Sequence, residues 1–289
     1  MVKKKFLGNF TQQPPLSETA IKAAVQVMQH GRLHRYNIED GEVSETALFE
    51  KEFAEKIDVK FCLACASGGY AMTTALRAIG LNHGEKVLTN GFTLAPVPGA
   101  ITAAGGEVVF VEINDDLLID FDDLERKILY SNSKILLLSH MRGHICNMDT
   151  LMTLCNKYDV KVVEDCAHTM GAKWNNCWSG KFGIIGCYST QTYKHLNSGE
   201  GGILVTNDEK IMARAIMLSG SYMLFDRHIS GPNVDIYEEI KLETPNCSGR
   251  MDNLRASILR PQLNELEMNC RAWNERYAVM ETCLQGVKG

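Results

Sequence analysis

No apolar run in the 289-residue sequence approaches the roughly 20 residues that cross a bilayer, so a membrane-spanning role is not expected. The first ten residues hold three lysines but no apolar stretch, which argues against a secretory signal. Basic runs are short and the net charge is −5, a poor match for a general nucleic-acid binder. No Gly-x-Gly-x-x-Gly follows a strand-like run, so a dinucleotide site is not expected. Internal repeats and low-complexity segments are also lacking. These absences leave a cytoplasmic globular protein, and 45% hydrophobic with 22% charged residues suits one.

Cysteine, in contrast, is plentiful, with ten residues. Several, such as Cys166 and Cys187, sit inside apolar strand-like runs, where small buried hydrophobes are expected in place of disulfides. Cys62 and Cys65 form a C-x-x-C, but no second ligand pair lies near it and no metal is predicted.

Ser17 and Glu18 open a helix to about residue 29 whose apolar face is Ile21, Ala24, Val25 and Met28. Ser44 caps a second, over 45–57, that buries Leu48, Phe49, Phe53 and Ala54. From about 60 to 215 strands alternate with helices; the strands are predicted at 60–64, 85–89, 107–111, 134–139, 160–163, 184–188 and 203–205. That alternation implies an α/β fold, a mostly parallel sheet covered by helices on both faces. Residues 1–58 form an N-terminal arm with helices, 59–220 the large domain, and 221–289 the start of a smaller, incomplete C-terminal domain with a charged helix over 265–285.

The chemistry concentrates between 159 and 202. The run Val160–Val163 ends on Glu164 and Asp165, where a parallel strand delivers functional side chains. A second run ends at Ser189-Thr190-Gln191-Thr192-Tyr193-Lys194, and Gly199-Glu200-Gly201-Gly202 leads into a third. A carboxylate and a lone lysine on neighbouring strand ends suit a lysine that condenses with an aldehyde cofactor. Upstream, a strand, then Ser67-Gly68-Gly69, then a helix aims backbone N–H groups at a phosphate, although a plain strand-to-helix turn reads the same way. His140 and His144 either line the substrate side or are satisfied structural histidines.

Glu-Asp-Cys-Ala-His at 164–168, Ser-Thr-Gln-Thr-Tyr-Lys at 189–194 and Gly-Glu-Gly-Gly at 199–202 together resemble the pyridoxal-phosphate-dependent sugar aminotransferases of the DegT/DnrJ/EryC1/StrS type. The resemblance covers nearly the whole chain. It implies the type I fold of pyridoxal-phosphate enzymes, pyridoxal 5′-phosphate as cofactor, and Lys194 as the covalent and proton-shuttling residue. Asp165 would hold the pyridine nitrogen protonated, and His168 would contact the ring or its phenolic oxygen. Ser67, Gly68, Gly69 and Ser189 would bind the phosphate, with Gly69 where the family has threonine. Leu94 stands where the family stacks an aromatic ring on the pyridine; Phe92 is a substitute for that ring or ordinary core. Ser248-Gly249-Arg250-Met251 resembles the family's Asn-aromatic-Arg-Met segment, so Ser248 would reach a neighbouring subunit's site in a homodimer. Glu200 is expected to support the lysine, with a possible substrate contact. The implied reaction moves an amino group from glutamate or glutamine to a keto sugar, nucleotide-linked, or a ketocyclitol. Two alternatives are a sugar dehydratase of the same family, in which histidine replaces the lysine, and a regulatory protein that keeps the fold.

Overall fold

Short runs such as Ile-Leu-Leu-Leu have no polar face and make strands that must be covered on both sides. The computed structural model, which describes residues 7–9, 11–242 and 244–287, places them at the centre. The strands are β1 (Phe61–Cys65), β2 (Lys86–Asn90), β3 (Glu107–Val111), β4 (Ile135–Ser139), β5 (Lys161–Asp165), β6 (Lys173–Trp174), β7 (Cys177–Trp178), β8 (Ile185–Ser189) and β9 (Gly202–Thr206). Seven of them form one sheet in the order β1-β9-β8-β5-β4-β2-β3. All run parallel except β9, which is antiparallel to both neighbours. β6 and β7 form a small separate hairpin outside the predicted strands. Its turn residues, Asn175 and Asn176, both take positive φ, which asparagine tolerates.

The helices are α1 (Glu18–His30), α2 (Glu45–Ile57), α3 (Gly68–Ala78), α4 (Pro96–Ala103), α5 (Phe121–Ser131), α6 (Met148–Lys157), α7 (Glu209–Leu218), α8 (Asp235–Glu238) and α9 (Asn253–Leu284). Side chains of Ser17, Ser44, Asp120 and Asp208 cap their helices, the first two as the sequence suggests, each worth about 1 kcal/mol. Strand alternation splits the core. Ile135, Leu137 and Val163 join Leu76, Ile101 and Ile216 on one face of the sheet. Leu136, Leu138 and Val162 join Leu124 and Leu151 on the other. The same alternation puts Cys62 in one cluster and Cys65 in another, so this C-x-x-C cannot act as a pair.

Two helices depart from expectation. On α1 the buried residues are Ala20, Ala24 and Val27, whereas Ile21, Val25 and Met28 are exposed. The small side chains let α1 lie close along α9, which turns the large apolar ones outward. The charged helix predicted from 265 begins at Asn253, capped by Asp252, and runs through Pro261. Its first half buries Ala256, Leu259, Leu263 and Leu266 against Phe49 and Phe53 of α2. That packing outweighs the carbonyl partner lost at the proline. In the segment before it, Tyr237 stacks on Phe225 at 4.2 Å and joins the cluster formed by α3 and α7.

Candidate active site

The carboxyl ends of β4, β5 and β8 bring the polar groups together, as parallel sheets do. Ser139, at the end of β4, pairs in register with Asp165 at the end of β5. Asp165 is buried and accepts from Ser139 Oγ and from Ala167 N–H, both at 3.1 Å. Burial raises its pKa, opposed by those two donors and by the charges of His140 and Lys194. Ser139 is itself fixed by Thr93 Oγ1, which donates at 2.8 Å, and by two bonds with Asn90. This relay was missed in the sequence; its only signal is a polar strand end one residue before His140.

Lys194 sits in the loop after β8, with Nζ 2.7 Å from His168 Nε2. His168 Nδ1 accepts the backbone N–H of Arg142 at 3.1 Å. A neutral imidazole with Nδ1 occupied as an acceptor carries its proton on Nε2, so that proton points at Lys194. Lys194 would accept that proton only as a free amine. Burial and then the Lys194 and Arg142 charges push His168 down to about 4. Burial lowers Lys194 too, with Asp165 opposing and Arg142 adding to the shift. Arg142 holds φ 57°, and that turn aims its N–H at the ring.

The third part is an N–H-rich cradle. Ser67 Oγ caps α3 by accepting from Tyr70 N–H at 3.1 Å, which leaves its own proton to donate. A Cβ on Gly68 would lie 3.0 Å from Ser189 Cβ, and one on Gly202 would lie 2.1 Å from Ser67 O. Only glycines let β9 and the end of β8 press so closely on the first turn of α3. At Gly69 a Cβ would meet only Pro96 Cβ at 3.9 Å, so the threonine's place is open space.

One cavity of about 430 Å³, within the usual size of small-molecule sites, is lined by Ser67, Gly68, Gly69, Leu94, Asp165, His168, Ser189, Lys194 and Glu200. Gln191 also lines it and had not been singled out. Ser248 does not line it; it is exposed, with Tyr222 Oη at 3.0 Å. Phe92 is absent from the lining as well, and the ring space beside Gly249 is taken by Tyr70. His140 is structural: buried, it bonds Glu164 at 3.1 Å. Glu164 also accepts from Gly180, Phe182 and Gly183 N–H, so its place beside His140 and Cys166 leaves no lone pair directed at a metal. His144 is exposed. A second cavity of about 560 Å³ opens on the other side of Lys194, between residues 13–17, His195, Trp273 and Arg276.

Sheet order, strand-end carboxylate and loop lysine define the type I fold of pyridoxal-phosphate-dependent transferases. The chain belongs to the DegT/DnrJ/EryC1/StrS aminotransferase family, whose model matches residues 15–289. It is 29% identical over 220 residues to a GDP-perosamine synthase of Escherichia coli O157:H7, covering 76% of this chain and 57% of that one. It is also 29% identical over 240 residues to a putative L-glutamine:3-amino-2,3-dideoxy-scyllo-inosose aminotransferase of Micromonospora echinospora, covering 83% and 54%. Among solved structures it superposes on S. venezuelae DesV with a TM-score of 0.75 at 28% identity, over 93% of this chain and 67% of that one. The chain thus spans little more than half the length of these curated relatives.

Pyridoxal 5′-phosphate is the cofactor that goes with this family. The cavity fits it by chemistry: an N–H and hydroxyl cradle for a phosphate, a buried carboxylate for a protonated ring nitrogen, and an amine for an aldehyde.

Proposed function

We propose that this chain carries the cofactor site of an aminotransferase that moves an amino group from glutamate or glutamine to a nucleotide-linked keto sugar or ketocyclitol. The observation that carries it is Lys194 Nζ held 2.7 Å from His168 Nε2, in one cavity with the buried Asp165. Bound there, the cofactor supplies an aldehyde for amines and a ring that draws electrons from the adjacent carbon. Asp165 would keep the ring nitrogen protonated, and Ser67, Gly68, Gly69 and Ser189 would hold the phosphate. His168 would fix the ring's rotation and hold the lysine amine in place through Nε2. Lys194 Nζ would take a proton from Cα of the donor and deliver it one carbon away, a task suited to an amine of lowered pKa. The second cavity, lined by polar side chains such as Gln13, Asn197 and Arg276 beside Lys194, supports a bulky polar acceptor.

Ser248, exposed and outside the cavity, supports a homodimer in which it faces the other copy's site. Ten unpaired cysteines suit the reducing cytoplasm, and no helix among the described residues is long and apolar enough to cross a membrane. The division into 1–58, 59–220 and 221–289 belongs to the same reading. A dehydratase is disfavoured by Lys194 itself. A regulatory role is favoured by Gly69, Leu94 and Ser248, but it leaves Asp165, His168, Ser189 and Lys194 converged on one cavity without a purpose.

The test is a visible spectrum of the chain with pyridoxal phosphate, before and after borohydride, beside Lys194→Ala. A band fixed to the wild type but not to the variant, and bleached by glutamate beforehand, supports the reading. A wild type that takes up no cofactor overturns it.

A further inference from the structure

Gly249 is buried against a tyrosine from another element. A Cβ placed on it would lie 1.9 Å from Tyr70 Cζ and 2.1 Å from Cε1. The hydroxyl end of that ring therefore fills the volume a side chain at 249 would need. Tyr70 Oη has one proton and two acceptors, Cys247 O at 2.6 Å and Leu218 O at 3.0 Å. Burial pushes the phenol up to about 12, so it remains a donor.

The segment it grips adds to the free edge of β1. Ala66 N–H donates to Gly249 O at 2.8 Å and Met251 N–H to Ala64 O at 3.2 Å, while Gly249 N–H donates to Ser219 O at 3.1 Å. Ala66 immediately precedes Ser67, and the backbone N–H of Tyr70 is the group that Ser67 Oγ caps. Tyr70 thus acts on the anion cradle twice, through its own N–H and through a ring that fixes the strand holding Ala66.

We propose that Tyr70, seated on Gly249, is a positioning residue that sets Ala66–Gly68 for a phosphate monoester. The proposal rests on the cofactor reading above and extends it to a residue outside the cavity lining. Loss of the hydroxyl frees the 247–249 backbone and lets the cradle drift from the phosphate. The aldehyde end, held by Lys194 and His168, is unaffected.

The experiment compares wild type, Tyr70→Phe, Gly249→Ala and the double variant Tyr70→Ala/Gly249→Ala. Dissociation constants are measured for pyridoxal phosphate and for pyridoxal, which lacks the phosphate, with melting temperatures alongside. Tyr70→Phe is expected to weaken pyridoxal phosphate about tenfold, the loss of one well-placed hydrogen bond, and pyridoxal less than about twofold. Gly249→Ala is expected to cost more, and the double variant to recover part of that loss because the clash is gone. Equal loss for both ligands, or none, in Tyr70→Phe overturns the proposal, as does a Gly249→Ala protein that binds like wild type. If Gly249→Ala does not fold, Tyr70→Phe alone decides. A wild type that binds neither ligand condemns the cofactor reading, whereas wild-type binding indifferent to Tyr70→Phe condemns this proposal alone.

Discussion

Glu50 is a group whose neutralisation this fold should tolerate poorly. It is 3% exposed, takes two bonds from Arg35 at 2.7 and 2.9 Å, and accepts Ala64 N–H of β1 at 2.8 Å. Arg35, also buried, reaches His228 Nδ1 at 3.1 Å, and His228 in turn bonds Tyr36 at 2.7 Å. Burial alone would raise the Glu50 carboxyl, but the Arg35 guanidinium and His228 override it and hold it at about 2, against an ordinary 4.5. That difference corresponds to about 3 kcal/mol of stability at neutral pH. The pKa is depressed in the fold, so this stabilisation is complete above the unfolded value of 4.5 and is lost as pH falls toward 2. Glu50→Gln keeps the shape but strands the Arg35 charge, and breaking one side of a buried pair costs about 3–5 kcal/mol. Urea unfolding at pH 7 should show that loss, with melting about 6–12 °C lower. The gap between wild type and variant should roughly halve between pH 5 and pH 3. A gap under about 1 kcal/mol at pH 7, or one that does not shrink with acid, would refute the reasoning.

Gly69→Thr should fill open space and add a hydroxyl to the phosphate cradle, tightening pyridoxal phosphate about fivefold by titration. Asp165→Asn should leave the cofactor bound but slow amino transfer at least about a hundredfold in single-turnover assays, because an amide cannot keep the ring nitrogen protonated. The depressed pKa of His168 gives a contribution present above its ordinary 6.5 and lost as pH falls through about 4, so His168→Gln should lose less stability than wild type across that window in unfolding experiments.

Much of this was legible in the sequence because it is written locally. Strand runs such as Leu136–Leu138, the caps at Ser17 and Ser44, and the spacing from Asp165 to Lys194 are short-range patterns. What depends on distant partners was not. The relay from Thr93 through Ser139 to Asp165 needs the register of β2, β4 and β5, which no single segment encodes. The outward turn of Ile21 and Met28 was decided by where α9 lies, and α9 was itself obscured by Pro261. The meeting of Tyr70 with Gly249 joins residues far apart in the chain, and its only trace in sequence is an unexpected glycine.

The split of Cys62 and Cys65 across the sheet has a practical side. Oxidants cannot tie the two together, and burial pushes both thiols well above their ordinary range, which makes them poor nucleophiles. Of the ten thiols only Cys283, near the end of α9, is exposed. Brief treatment with a maleimide dye should therefore mark that one spot first, giving an optical reporter at the far end of α9 with the cofactor cavity left chemically untouched.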